Sequence, residues 1–160
     1  MLLTSLRLPF IGSLCTRFAR WLGPSSYVLA VYAIVVDLVL FNLIAGERLS
    51  TNSWLNLVWF RWLDCGALTY AFELTTSPLR LAIAYVVVTV RTLVHCYSLW
   101  YLAGDPHQPR FFGLISLFTG FILLLVHAGD LSVVFLGWEG IGVISYLLIR
   151  FWYTRINAIQ

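Results

Sequence analysis

The chain has 160 residues, 61% of them hydrophobic and 11% charged, with a mean hydropathy of +0.88. A soluble domain carries about 25% charged residues, so there is too little polar surface here to cover a soluble globule. The net charge of +3 rests on ten basic residues, all of them Arg, and no basic patch interleaves with aromatics, which argues against a nucleic-acid partner.

A spanning helix needs about 20 mostly apolar residues and satisfies its own backbone hydrogen bonds in lipid. In chain order the candidate runs are residues 2–21, 27–45, 79–102, 111–128 and 131–151. They predict an all-α integral membrane domain of about five helices over residues 1–160. The first run is interrupted by Arg7, Arg17 and Arg20, and the last two arginines lie where long side chains snorkel to headgroups. Residues 1–25 also carry Arg and Ser without acids, as a mitochondrial presequence does, but residues 2–21 are read as a helix that stays. Gly23-Pro24-Ser25-Ser26, Asp105-Pro106-His107-Gln108-Pro109 and His127-Ala128-Gly129-Asp130 punctuate the runs. Residues 46–77 differ: two aromatic-rich stretches, 54–60 and 67–74, flank Asp64-Cys65-Gly66. This pattern predicts a β-hairpin lying on the membrane surface, against the plainer alternative of an interfacial aromatic belt. Cys15, Cys65 and Cys96 are far apart and form no CxxC pair, so neither a zinc site nor a redox motif is expected.

The arginines predict an orientation. With five helices, one side receives Arg17, Arg20, Arg110, Arg150 and Arg155 against Asp105, a balance of +4. The other receives Arg7, Arg48, Arg61 and Arg80 against Glu47, Asp64, Glu73 and Asp130, a balance of 0. The basic side is expected in the matrix or cytoplasm, with the N-terminus and residues 46–77 opposite.

Ionisable groups inside a membrane are costly, so they are functional candidates by default. Glu139 stands about eight residues, or ~12 Å, into the last run. Ser132, Glu139, Gly142 and Tyr146 share one helix face there, and Gly137, Gly140 and Gly142 permit close helix approach. In low dielectric a carboxylate holds a proton until a cation approaches, which is how a relay group works. The alternative is a carboxylate that merely bonds a neighbouring helix, and the relay is preferred. Asp37 and Arg91 fall at similar depth, ~15 to 17 Å from the Arg-rich surface, on consecutive antiparallel runs. They are read as a buried ion pair, structural before functional. His95 and Ser98 lie on the Arg91 face, and with Ser145 and Tyr146 they are candidates for a polar track. A membrane histidine more often bonds a neighbouring helix, however. His107 and His127, near helix ends, are expected to be solvated.

A resemblance rests on particular strings. They are Val94-His95-Cys96-Tyr97-Ser98, Tyr101, Asp105-Pro106-His107-Gln108, Arg110-Phe111 and Leu117-Phe118-Thr119. The block Gly137-Trp138-Glu139-Gly140-Ile141-Gly142 follows, then Ser145-Tyr146-Leu147-Leu148-Ile149 and Phe151-Trp152-Tyr153-Thr154-Arg155. Together they resemble the chain 5 family of mitochondrial NADH:ubiquinone oxidoreductase, the distal antiporter-like subunits of respiratory complex I. Residues 8–14 and 18–23 are loosely similar to that family's first helix and its end. The resemblance implies that Glu139 is the carboxylate of the fifth helix, pairs with a lysine on a later helix and takes part in proton translocation. It also implies no flavin, iron–sulfur cluster or nicotinamide in this chain, redox energy arriving through neighbouring subunits. Two departures stand out: Ser77 replaces an Asp usual in the family, and Arg91 stands where the family is small and uncharged.

The preferred expectation is therefore an N-terminal fragment of a proton-pumping complex I subunit in the mitochondrial inner membrane. The expected partners are the other membrane subunits of the complex and lipids. The chain contains no Lys, so a second polypeptide carrying the later, lysine-bearing helices of a split subunit is expected to pack on Glu139. The alternatives are a subunit of a multisubunit cation/proton antiporter and a non-pumping membrane scaffold.

Overall fold

Pro78, immediately after Ser77, opens the first long helix of the C-terminal half. Pro suits the first helical turn because its missing N–H has no intrahelical partner there. The Ser77 hydroxyl caps that end by accepting the Arg80 N–H at 3.4 Å. The computed structural model describes residues 9–13, 35–36, 38–39, 41–43, 45–47, 50, 56–64, 69–105 and 107–152. Within them lie strands β1 (Asn56–Asp64) and β2 (Thr69–Thr75) and helices α1 (Pro78–Tyr101), α2 (Gln108–Val126) and α3 (Leu131–Ile149). A short 3₁₀ turn, Arg150–Trp152, ends the series. All three helices are long and apolar enough to cross a membrane. The protein is thus a mostly helical, multi-pass membrane chain carrying a small hairpin.

The earlier segments are helical wherever they are described, at 9–13 and at the described positions between 35 and 50. Residues 46, 47 and 50 are also helical, beyond Ala45 where the second run was expected to end. Ser50 donates its hydroxyl to the Glu47 carbonyl at 2.9 Å, an i−3 bond that lets a polar residue stay on a helix. The expected extramembrane segment therefore starts as helix.

β1 and β2 pair antiparallel from Asn56↔Thr75 to Asp64↔Thr69, with irregularities between Val58 and Phe60 and between Arg61 and Leu63. Phe60 and Phe72 stack across the pair at 4.5 Å. The turn at Cys65 and Gly66 lies outside the described residues. Leu74, 1% exposed, anchors β2 in the core with Leu81, Ala84, Val88, Leu123, Leu124 and Val133, joined by Phe41 and Ala45.

Consecutive helices are joined by short turns and run antiparallel. α2 is central. Gly120 admits the ring of Phe10, whose edge also meets Phe121 at 5.4 Å. Gly137 brings α3 onto the backbone of α2 at Leu125, and Gly140 lies under the Phe121 ring so closely that any Cβ there would collide with it. Close approach through small residues is the usual way helices pack in lipid, where burial of apolar surface supplies little drive.

Candidate functional site

The charged and polar residues singled out in the sequence separate into two places. One is a seam between α1 and α2. Arg91, His95 and Ser98 recur at four- and three-residue steps, so they share a face, and all three are buried. The Arg91 guanidinium donates to the Ser116 hydroxyl of α2 at 3.4 Å. His95, 1% exposed, stacks on Phe112 at 5.4 Å. Its Nδ1 lies 2.9 Å from the Arg91 carbonyl, which can only accept, so Nδ1 carries the hydrogen. Ser98 turns its hydroxyl to the Val94 carbonyl at 2.7 Å, and Thr119 of α2 bonds Ile115 at 2.9 Å in the same way. These hydroxyls satisfy themselves on their own helices, as small polar residues in lipid must. Asp37, the expected partner of Arg91, lies outside the described residues.

The other place is the outer face of α3. Glu139 is exposed within this chain, in an open groove of about 350 Å³ lined by Trp138, Glu139, Gly142, Val143 and Tyr146. Glu139, Gly142 and Tyr146 thus do share a face. Gly137 and Gly140 do not belong to it: they are turned toward α2. Ser145 bonds its own helix at the Gly142 carbonyl, 2.9 Å away. The Tyr146 hydroxyl accepts from Arg150 at 2.6 Å, and the guanidinium carbon stands 5.5 Å from the Tyr146 ring centre. Within this chain His95 packs on Phe112 of α2, whereas Tyr146 lines the Glu139 groove on α3, so the structure does not bring these two together.

A third polar cluster was not anticipated. His107 is exposed as expected, but His127 is buried, with its Nδ1 2.9 Å from the Leu123 carbonyl. It sits where β2 docks on the α2–α3 turn. The Thr75 N–H donates to the His127 carbonyl and the Gly129 N–H to the Glu73 carbonyl, each at 2.8 Å. Arg80 donates to the Ala128 carbonyl at 2.9 Å. Burial pushes His127 below the ordinary histidine value; its bond to the Leu123 carbonyl opposes that shift and the nearby Arg80 charge adds to it. Ser116 and Thr119 belong to the α1–α2 seam as well. Two hydroxyl residues three apart in an apolar run were the available signal for a seam.

No group of three or more His, Cys, Asp and Glu side chains able to hold a metal occurs among the described residues. What the arrangement can do is hold one carboxylate in mid-helix on a face open to a further helix, separate from a sealed polar seam.

A family model described as NADH-ubiquinone oxidoreductase (complex I), chain 5 N-terminus, matches residues 62–112, which cover most of the hairpin, all of α1 and the start of α2. The NADH-ubiquinone oxidoreductase chain 5 of Chondrus crispus is 41% identical over 100% of this chain and 24% of its own length. That of Dictyostelium discoideum is 39% identical over 99% of this chain and 24% of its own length. That of Metridium senile is 38% identical over 99% and 27% respectively. The chain therefore spans about a quarter of the length of the curated relatives it matches. Among solved structures, a chain of the membrane-bound sulfane sulfur reductase, an archaeal respiratory membrane complex, aligns with TM-score 0.68. It is 18% identical and covers 91% of this chain and 22% of that one, a likeness of fold. Over its whole length, this chain is thus similar to the N-terminal part of NADH-ubiquinone oxidoreductase chain 5 proteins.

Proposed function

We propose that this chain forms the N-terminal membrane portion of the distal, antiporter-like subunit of respiratory complex I, in the mitochondrial inner membrane. Its role is to help couple NADH:ubiquinone oxidoreduction to proton translocation. The redox chemistry lies in other subunits, and this chain carries protons without binding a cofactor. The observation that carries the reading is Glu139. It stands mid-helix, flanked by Gly142 and Tyr146, on a face that nothing in the described chain covers. A carboxylate at that depth needs a cation or a proton beside it. The family resemblance implies a lysine on a later helix as the relay partner; this chain has none, and Arg, which releases no proton under physiological conditions, is a poor substitute. A lysine-bearing helix therefore covers the groove, carried by a continuation of this polypeptide or by a second chain.

Purification of the chain from inner membranes tests the reading. It is expected to copurify with NADH:ubiquinone reductase activity, and intact masses of the subunits distinguish one continuous polypeptide from two. Recovery in an assembly that exchanges cations for protons without oxidising NADH would contradict it.

Asp37 and Arg91 are proposed to pair within the membrane. Either Asp37→Asn or Arg91→Gln alone then costs ~3 to 5 kcal/mol by stranding a charge, and the double substitution restores much of the assembly. Equal losses in the single and double variants would refute the pair. The N-terminus is proposed to face the intermembrane space and the connection at Gln108 the matrix. A cysteine replacing Gln108 is then expected to react with an impermeant reagent only from the matrix face in sealed vesicles. Labelling from the opposite face would reverse the orientation.

A further inference from the structure

α1 has two faces of opposite character. Ala84, Val88, Arg91, His95 and Ser98 are buried against the rest of the chain. On the opposite side Ile83, Val86, Val90, Leu93, Tyr97 and Trp100 recur at three- and four-residue steps and are all exposed. That outer stripe holds neither glycine nor charge, unlike the Glu139 groove on α3. Apart from Ala82 and Cys96 at its flank, the stripe is made of branched and aromatic side chains, which hold a second backbone farther off than the glycines of α3 do. Leu79 to Trp100 rises about 32 Å, close to the ~30 Å of a bilayer's hydrocarbon core.

One end of the stripe is aromatic and cationic. Tyr97 stacks on Tyr101 at 5.8 Å and meets Trp100 at 6.3 Å, and these rings are 61%, 62% and 77% exposed. The turn after α1 leads at once to α2, whose Phe111 ring contacts Phe151 at 5.2 Å. Arg110 and Arg150, the residues preceding those two rings, are therefore at this same end; both are exposed, and Arg150 also donates to the Tyr146 hydroxyl. Asp105 is the acid there, and it accepts the His107 N–H at 2.8 Å. The far end carries Glu73 and Asp130, with Arg80 engaged by the Ala128 carbonyl. Tyr and Trp favour the level of the headgroups, and arginines beside them attract phosphates.

We propose that the outer stripe of α1 faces lipid rather than a neighbouring subunit, and that Arg110 and Arg150 draw anionic phospholipid headgroups to its aromatic end. This rests on the chain's multi-pass membrane character and not on the role of Glu139.

The test uses the intact complex in phosphatidylcholine nanodiscs with and without phosphatidylglycerol, each doped with lipids bearing a photoactivatable acyl chain or headgroup. Peptide mapping after irradiation is expected to find acyl adducts on Ile83, Val90 and Leu93. It should also find phosphatidylglycerol headgroup adducts at Tyr97 to Tyr101. Arg110→Gln with Arg150→Gln should lower the headgroup labelling about tenfold at low ionic strength and leave acyl labelling unchanged. Glu139→Gln should alter neither. Absence of acyl adducts, or cross-links from the stripe to another subunit, would overturn the lipid-facing assignment. Headgroup labelling unchanged in the double variant would overturn the anionic preference.

Discussion

Gly137, Gly140 and Gly142 lie within six residues of one another, yet they meet different surroundings. The first two let α2 approach, and a methyl group at Gly140 has no space beside Phe121. Gly140→Ala is therefore expected to cost about 1 to 3 kcal/mol of α2–α3 packing. Gly142→Ala meets nothing within 4 Å and should leave that packing intact, whereas Gly142→Leu fills the Glu139 groove and should block a covering helix. Assembly yield and thermal stability of the complex check this order; equal damage from both alanines would contradict it. The sequence made the three glycines and the Glu139 face visible, because helical spacing is fixed. Which glycine meets α2 was not legible, since periodicity gives angles around one helix and not its rotation against the next. The same gap explains Ser116: its hydroxyl becomes the Arg91 partner only once α1 and α2 are in register.

At the scale of elements, the hairpin is more than a surface flap. Thr75, Glu73 and Arg80 bind the backbone of the α2–α3 turn, and Gly129 admits Glu73 and Thr75 where a Cβ would meet atoms at 2.8 to 3.0 Å. His127 lies buried in this joint with its pKa lowered from 6.5. The undocked imidazole therefore binds more protons than the docked one at mildly acidic pH, so docking is fully stable above about 6.5 and weakens as pH falls below it. Exchange protection of the Thr75 and Gly129 amides, corrected for intrinsic rates, should fall between pH 7.5 and 5.5. His127→Phe should remove the pH dependence. Constant protection in the unsubstituted chain would contradict this. Aromatic and β-branched residues around a Gly-bearing turn had announced the strands. The docking had not been legible, because it runs through backbone groups of His127, Ala128 and Gly129, whose side chains suggested only a solvated turn.

For the whole molecule, three surfaces divide the work. The α1–α2 seam seals Arg91 and His95 inside, the outer stripe of α1 offers only apolar and aromatic groups, and α3 leaves a carboxylate on an open face. Composition alone required a membrane, since so few charges cannot clothe a soluble fold. Composition could not place Glu139 away from α2; that depended on Gly137 and Gly140 occupying the packed side. A mid-helix carboxylate left open in this way makes sense when further helices complete its surroundings and move its proton. The decisive measurement is the proton-to-electron ratio of the assembled complex carrying Glu139→Gln, which keeps size and hydrogen bonding but cannot titrate. Assembly is expected to survive while the ratio, and with it coupled NADH oxidation, falls well below wild type. An assembled variant that pumps at the normal ratio would contradict the role assigned to Glu139.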